Sequence, residues 1–170
     1  HLAEAGANLV ITDIDQAALA DISKRTGAKI VAPDEIYDVD ADIFSPNALG
    51  AIINEETLGR FKVKVIAGGA NNQLVIPQMG EFVRRAGIVY APDYVINGGG
   101  IINVAAEISG TYSREWVERK LDALIDTLGE VVDEAEALRP PHMPPSDRSH
   151  SQWRRGSPRA VYRQPPGLHL

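Results

Sequence analysis

Short apolar runs alternate with longer amphipathic segments over residues 1–138. The runs are continuous, which is typical of parallel strands that are covered by helices on both faces. They predict strands at 7–13, 28–31, 42–44, 63–67 and 88–91. The segments between them predict helices at 16–25, 57–60, 77–85 and from about residue 101 onwards. This alternation predicts an α/β fold with a doubly wound parallel sheet.

A further helix is predicted over 113–138, with Ser113 as its N-cap. Its apolar positions recur at steps of four and three residues, a heptad-like seam that needs a partner surface. The seam comprises Val117, Leu121, Leu124, Leu128, Val131, Ala135 and Leu138. It fits either a helix packed onto the core or a coiled coil, and we favour the helix packed onto the core.

The chain changes character after Leu138. Residues 139–170 hold six Arg, one Asp and seven of the 11 Pro, so this tail carries a net charge of +5 and residues 1–138 carry −11. With frequent proline and few apolar residues the tail is predicted to be disordered. A basic tail can bind nucleic acid or an anionic membrane, but without an amphipathic period or interleaved aromatic residues we expect neither. The abrupt change suggests foreign sequence or a shifted reading frame.

Composition excludes several kinds of chemistry. The chain has no Cys, which excludes disulfides, a thiol nucleophile and a cysteine-based zinc site. Its four His are scattered, so no metal site is expected, and no Ser-His-Asp arrangement is readable. No catalytic arrangement is therefore readable from these residue types alone. No apolar run approaches the roughly 20 residues of a membrane span, and we expect a soluble, cytoplasmic protein.

Glycine, amide and acidic residues follow four of the predicted elements. They are Asp13, the segment 45–47, the segment 68–72 and the segment 97–100. Because parallel strands end at one edge of a sheet, and ligands bind beyond their carboxyl ends, these turns predict a binding site on one rim. Each turn also has a simpler explanation, such as a helix cap, a left-handed turn or a hinge between domains.

Asp13 carries the most specific chemistry on this rim. A carboxylate at the end of such a strand accepts hydrogen bonds from a ribose diol and repels a 2′-phosphate, which favours NAD over NADP. The alternative is a cap for the following helix, a role that Asp15 is also able to fill. The G-x-G-x-x-G fingerprint that binds the pyrophosphate is absent. Residues 1–6 read as the last turn of a helix, so the pattern starts as though the first strand, its glycine loop and most of the first helix were missing.

Four segments resemble the Glu/Leu/Phe/Val dehydrogenase family, most closely its leucine, valine and phenylalanine branch. They are LVITDID, DIFSPNALGAIIN, VIAGGANNQL and GIVYAPDYVINGGGIINVAAE. The resemblance covers about residues 1–138 and implies an N-terminally truncated, Rossmann-like NAD-binding domain. The family deaminates an L-amino acid to a 2-oxo acid and ammonia, passes hydride to NAD and usually forms homo-oligomers.

The resemblance also implies roles for individual residues. The positions implied to bind the cofactor are Asp13, Pro46, Asn47, Ala48, Gly68, Gly69, Ala70, Asn71 and Asn97. Those implied to bind the substrate are Asn72, Ile101 and Val104. The bulk of Ile101 and Val104 favours a branched aliphatic side chain, since an apolar wall leaves a buried charge unpaired.

Two departures from the family are mild: the family usually has Cys or another small residue where this chain has Asn47, and Ala where it has Gly98. A larger one is that the family's active-site lysines and catalytic aspartate lie in a domain that this sequence does not contain. We therefore expect the chain to be the cofactor-binding part of a branched-chain amino-acid dehydrogenase, inactive alone. The alternatives are an inert fragment that retains at most dinucleotide binding or an oligomerisation role, and, less favoured, an NADP-binding regulatory module.

Overall fold

The computed structural model describes residues 1–108, 110, 112–137 and 159–163. Its centre is a sheet in which every neighbouring pair of strands is parallel, with the order β2-β1-β6-β3-β4-β5. The strands are β1 (Asn8–Thr12), β2 (Lys29–Ile30), β3 (Ile43–Ser45), β4 (Val65–Ile66), β5 (Val89–Tyr90) and β6 (Arg159–Arg163). The predicted parallel sheet is therefore present, with strands shorter than the apolar runs suggested.

Helices occupy most of the segments between the strands. They are α1 (Gln16–Thr26), α2 (Glu55–Arg60), α3 (Met79–Arg85), α4 (Asp93–Ile96), α5 (Gly99–Ile108) and α6 (Arg114–Ala137). A short 3-10 helix covers Glu35–Asp38. The sequence pattern did not predict this 3-10 helix or α4, since four-residue helices are too short to show a period. In the described part of the chain, no helix is both long enough and apolar enough to cross a membrane.

Residues 1–7 form a hydrogen-bonded turn before β1. The Ala7 N–H donates to the Leu2 carbonyl at 3.0 Å, and the Gly6 N–H donates to the Ala3 carbonyl at 2.9 Å. Gly6 has a positive φ of 84°. This pair of bonds around a left-handed glycine is the Schellman motif that closes helices. That residues 1–6 are the last turn of a longer helix stays a prediction.

Two apolar clusters flank the middle of the sheet. The larger one packs Phe44 and Ile66 of β3 and β4 against Ile36, Ile53 and Val83. The smaller one joins Ile11 of β1 to Leu19 of α1 and Ala28. In the strand order β6 lies between β1 and β3, so this strand connects the halves of the sheet that carry the two clusters.

β6 differs from the prediction of a disordered tail. Residues 159–163 pair along five positions with β1 and along three with β3. The prediction of disorder is wrong for this segment because a slot between two parallel strands offers hydrogen bonds on both sides to any extended backbone. A short extended segment meets that need whatever its composition. The rest of the predicted tail lies outside the described residues.

Arg60 of α2 links this helix to the 3-10 helix through ion pairs. Its guanidinium donates to Asp34 Oδ1 at 2.8 Å and to Asp38 Oδ2 at 2.7 Å, and its Cζ lies 5.3 Å from the centre of the Tyr37 ring. The hydrogen bonds from Arg60 lower the pKa of both carboxyl groups. All of these groups lie outside the rim that the sequence singled out.

The seam of α6 faces α4 and α5. A methyl group added at Gly99 would lie 3.2 Å from Leu121 Cδ2, and one added at Gly98 would lie 3.4 Å from Leu124 Cδ1. Val117 is buried, whereas Ile125, off the seam, is 65% exposed. The favoured interpretation, a helix packed onto the core, is confirmed for this half of the seam. Leu138 lies outside the described residues.

Candidate functional site

Parallel pairing places the carboxyl ends of the strands at one edge of the sheet. Asp13 follows β1, Pro46 follows β3, and the segment 68–72 follows β4. Asn97 lies one short helix beyond β5, at the end of α4. The predicted residues therefore share one edge, which we call the rim. Asp13 is separated from the others by the position of β6 in the strand order.

Asp13 is buried at the base of the rim, with 6% of its surface exposed. Its Oδ1 accepts the Asp15 N–H at 3.0 Å, and this bond fixes the turn that leads into α1. The cap of α1 is Asp15, whose Oδ1 accepts the Ala18 N–H at 3.0 Å. The simpler explanation of Asp13 as the helix cap is therefore wrong.

Asn47 links the turn after β3 to the turn after β4. Its side-chain amide donates to the Ser45 carbonyl at 3.1 Å and to Ser45 Oγ at 2.9 Å. Its Oδ1 accepts the Gly69 N–H at 2.9 Å. Pro46 is fully buried, and its carbonyl accepts the Ala70 N–H at 3.0 Å. Ala48 follows, half-buried, on the same turn.

The Gly68 backbone lies directly against Pro46. A Cβ at residue 68 would lie 2.2 Å from the Pro46 carbonyl oxygen and 2.4 Å from the Pro46 nitrogen. At Gly69 a Cβ would lie 2.9 Å from Asn47 Oδ1. Glycine is thus required for close approach of two turns, and Gly69, Asn71 and Asn72 form the exposed part of this loop.

Gln73 supports the loop from below and was missed by the sequence analysis. It is completely buried, and its Nε2 donates to the Gly68 carbonyl at 2.5 Å and to the Ala70 carbonyl at 3.0 Å. Among the described residues no hydrogen-bond partner reaches Gln73 Oε1 or the buried Thr12 Oγ1. The only signal in the sequence was that Gln73 directly continues the amide pair Asn71-Asn72.

Asp93, also missed, holds the far end of the loop. Its Oδ2 accepts the Asn72 N–H at 2.5 Å and its Oδ1 accepts the Tyr90 hydroxyl at 3.2 Å. Burial, and next the charge of Asp93, raise the pKa of Tyr90. Asn72 has a φ of 51°, a left-handed conformation that asparagine tolerates better than most residues. The Asn72 carbonyl accepts the Ala51 N–H at 2.7 Å.

Asn97 reaches back to the same loop, since its side-chain amide donates to Asn71 Oδ1. The two side chains predicted to touch the substrate's side chain lie further along, on α5. Ile101 is 74% exposed and Val104 is 50% exposed, and their spacing places them on one helix face. The described residues therefore place three separate hydrogen bonds along the loop, from Asn47 to Gly69, from Asn97 to Asn71 and from Asn72 to Asp93. They do not enclose Ile101 and Val104.

No group of three or more His, Asp or Glu side chains suited to a metal ion occurs within the part of the chain that the structure describes. The rim thus offers amide groups, backbone carbonyls and one buried carboxylate. Groups of this kind recognise a neutral polar ligand through hydrogen bonds, with the carboxylate suited to hydroxyl donors.

Comparison with known proteins assigns the family. Residues 6–137 match the family model for Glutamate/Leucine/Phenylalanine/Valine dehydrogenase. The chain therefore belongs to this family, and the resemblance stated from the sequence is confirmed. The identification is independent of the rim, because it rests on most of the chain.

Individual relatives agree with that assignment. The chain is 47% identical over 148 residues to leucine dehydrogenase of Geobacillus stearothermophilus, covering 87% of this chain and 40% of that protein. It is 50% identical over 136 residues to leucine dehydrogenase of Thermoactinomyces intermedius, covering 80% and 37%. The crystal structure of L-tryptophan dehydrogenase from Nostoc punctiforme matches with a TM-score of 0.73 and 42% identity, over 75% of this chain and 38% of that one. The chain thus spans about two fifths of the length of these relatives.

Proposed function

We propose that this chain is the dinucleotide-binding domain of an NAD-dependent amino-acid dehydrogenase. The observation that carries the proposal is the strand order together with the buried Asp13. Dinucleotide-binding folds have the strand order 3-2-1-4-5-6 and bind beyond the carboxyl ends of the strands, where the order reverses. The order β2-β1-β6-β3-β4-β5 corresponds to it if β6 stands in the place of the first strand.

Under this correspondence β1 is the second strand of the fold. That is the strand after which an acidic residue accepts the ribose hydroxyls in NAD-binding proteins. Asp13 directly follows β1, and Asp15 rather than Asp13 caps α1. A buried carboxylate there disfavours the 2′-phosphate of NADP, so we assign NAD as the cofactor.

The loops after β3 and β4 lie on the other side of the reversal. Pro46, Asn47 and Ala48 would lie along the adenosine side of the cofactor, with Gly68, Gly69, Ala70 and Asn71 beside the nicotinamide and Asn97 completing that end. The missing side chains at Gly68 and Gly69 face Pro46 and Asn47, so both glycines bring this loop against the turn after β3. When bound, NAD accepts a hydride from the α-carbon of the amino acid.

The substrate that we propose is a branched-chain, leucine-like L-amino acid. Asn72 supplies an exposed amide for its carboxylate, and Ile101 and Val104 form an apolar, uncharged face for its side chain. Leucine dehydrogenases among the relatives support this class. The exposure of Ile101 and Val104 implies that another part of the complete enzyme closes the pocket.

We further propose that the catalytic groups lie outside this chain and that the chain alone is inactive in deamination. The chain spans about two fifths of the length of the relatives that it matches, which supports further parts in the complete enzyme. That enzyme would be a cytoplasmic homo-oligomer. An inert fragment that keeps at most dinucleotide binding or an oligomerisation role is the competing proposal.

Isothermal titration calorimetry of the expressed chain with NAD and with NADP tests the proposal. We expect NAD to bind with a dissociation constant below millimolar and NADP to bind at least about tenfold more weakly. Asp13→Asn should weaken NAD binding and narrow the gap between the two cofactors. Asp21→Asn, on the exposed side of α1, removes the same charge and should change neither. A folded chain that binds neither cofactor would support the inert fragment, and a preference for NADP would overturn the role of Asp13.

A further inference from the structure

Gln73 is completely buried, and in the part of the chain that the structure describes its side-chain nitrogen forms hydrogen bonds whereas its side-chain oxygen does not. Both donor contacts go to carbonyls of the same turn, Gly68 at 2.5 Å and Ala70 at 3.0 Å. Its Oε1 has no hydrogen-bond partner within the described residues. A buried acceptor without a partner destabilises a fold, but the same amide supplies a donor to two carbonyls that an apolar side chain would leave unpaired. The side chain at this position is therefore matched to the carbonyls of the turn and not only to the volume it fills.

The two bonds fix the turn that the rim depends on. The other backbone contacts of this turn run to Asn47 and Pro46, through the N–H groups of Gly69 and Ala70. Those contacts hold one side, and Gln73 holds the carbonyls on the other side. Since Gly68 already lies against Pro46 with no room for a Cβ, a small rotation of either carbonyl would change the path of the whole turn.

We propose that Gln73 is a positioning residue for the cofactor, which holds residues 68–70 in the shape that contacts the nicotinamide end. The inference rests on the proposed function, because the ligand of this turn is the dinucleotide assigned there. It adds a residue that touches neither cofactor nor substrate and acts only through the two carbonyls. Its side-chain N–H groups, rather than its volume, are the feature that matters.

Gln73→Met separates this role from a structural one. Methionine fills a similar volume and removes the unpartnered acceptor, but it leaves the Gly68 and Ala70 carbonyls without their donor. We expect the urea midpoint to fall, and the affinity for NAD to fall about tenfold in calorimetry under conditions in which the variant is fully folded. An unchanged affinity for NAD in the fully folded variant would show that Gln73 is merely structural and would overturn the proposal.

Gln73→Glu adds a readout in pH. An ionised carboxylate can only accept, so it repels both carbonyls, whereas a protonated one donates to one of them. Burial raises the pKa of such a glutamate, so binding of NAD should be weak at about pH 8 and recover in part towards about pH 5.5, relative to the unchanged chain at each pH. Gln78→Glu makes the same change at an exposed position and should bind NAD like the unchanged chain.

Amide hydrogen exchange tests the role of Gln73 independently of whether the chain binds NAD. In Gln73→Met the N–H groups of Gly69 and Ala70 should exchange at least about tenfold faster, while Ile66 and Val83 in the core stay protected. If the unchanged chain binds no NAD but this local effect appears, the proposed function fails and the positioning of the turn stands. If exchange at Gly69 and Ala70 is unchanged, Gln73 does not hold the turn, whatever the affinity for NAD.

Discussion

At the scale of single residues, Gly68 is the position where the rim tolerates the least change. The clash of an added Cβ involves Pro46 backbone atoms, which cannot swing away as the end of a flexible side chain does. We expect Gly68→Ala to lower the free energy of unfolding by about 1–3 kcal/mol, the usual range for overpacking, measured by urea denaturation. Gly59→Ala is the matched control, since nothing lies within 4 Å of a Cβ there.

The control substitution Gly59→Ala should instead raise the free energy of unfolding. Gly59 lies in α2, where replacing glycine with alanine stabilises a helix by about 0.5–1 kcal/mol. If both variants unfolded at the same urea concentration, the Pro46 backbone would be able to shift away from a Cβ at residue 68 without loss of stability. The close approach of the two turns would then not require glycine.

Glu81 gives the molecule a defined response to acid. Hydrogen bonds from Arg84 and next from Arg85 lower the pKa of Glu81 from 4.5 to about 2. Because the folded pKa lies below the unfolded one, the stabilisation is present above about pH 4.5 and is lost as the pH falls towards about 2. We expect Glu81→Gln to melt below the unchanged chain at neutral pH, with the two thermal unfolding curves converging in acid.

The size of this effect is small because all three side chains are partly exposed, and added salt should reduce it. Glu130→Gln on the exposed side of α6 provides the comparison and should follow the unchanged chain at every pH. A difference between Glu81→Gln and the unchanged chain that persists at pH 2 would show that Glu81 acts through something other than its charge.

At the scale of elements, the packing of α6 through its seam predicts that two substitutions one helical turn apart differ in their effect on stability. Leu121 packs beside Gly99, whereas Ile125 is largely exposed. Leu121→Asp places an unpaired charge against α5 and should cost about 2 kcal/mol of unfolding free energy in urea. Ile125→Asp makes a similar change to the helix propensity and should stay within about 0.5 kcal/mol. Equal losses would mean that α6 does not dock through this seam.

The elements also show what the apolar pattern was able to predict. Long elements with strong periods, α1 and α6, were placed within one or two residues, because each has a cap and an apolar face. Strands β4 and β5 were predicted too long, since an apolar run records burial and not the ladder of hydrogen bonds. The glycines at 98 and 99 were interpreted as part of the binding rim or as a hinge, yet they face Leu124 and Leu121 of a helix far along the chain.

The sequence predicted where the rim lies but not which residues hold its loops in shape. The turn at 68–72 stands out in the sequence because two glycines and two amides fall within five residues after the apolar run, and Asp13 gains weight because the other turns agree with it. Gln73 and Asp93 do not stand out, since their roles depend on which carbonyl or N–H lies opposite after folding. The ligand roles of the rim residues stay predictions that the titrations above are designed to test.

At the scale of the whole molecule, the sheet depends on a strand drawn from the far end of the chain. β6 lies between β1 and β3, with Val161 opposite both Val10 and Phe44 in register. The larger apolar cluster also contacts Val10 of β1, but without β6 the backbone edges of β1 and β3 would face one another unpaired. The protection of β1 and β3 should therefore depend on the backbone of β6.

Val161→Pro tests this dependence because proline lacks the N–H and is not accommodated in a central strand. We expect the amides of β1 and β3, measured by hydrogen exchange, to exchange at least about tenfold faster, a loss of about 1.4 kcal/mol. Val161→Thr retains the N–H and a β-branched side chain, and its exchange should match that of the unchanged chain. If Val161→Pro leaves β1 and β3 protected, the central position is not held by residues 159–163 in solution, and the two halves of the sheet must be joined by something else.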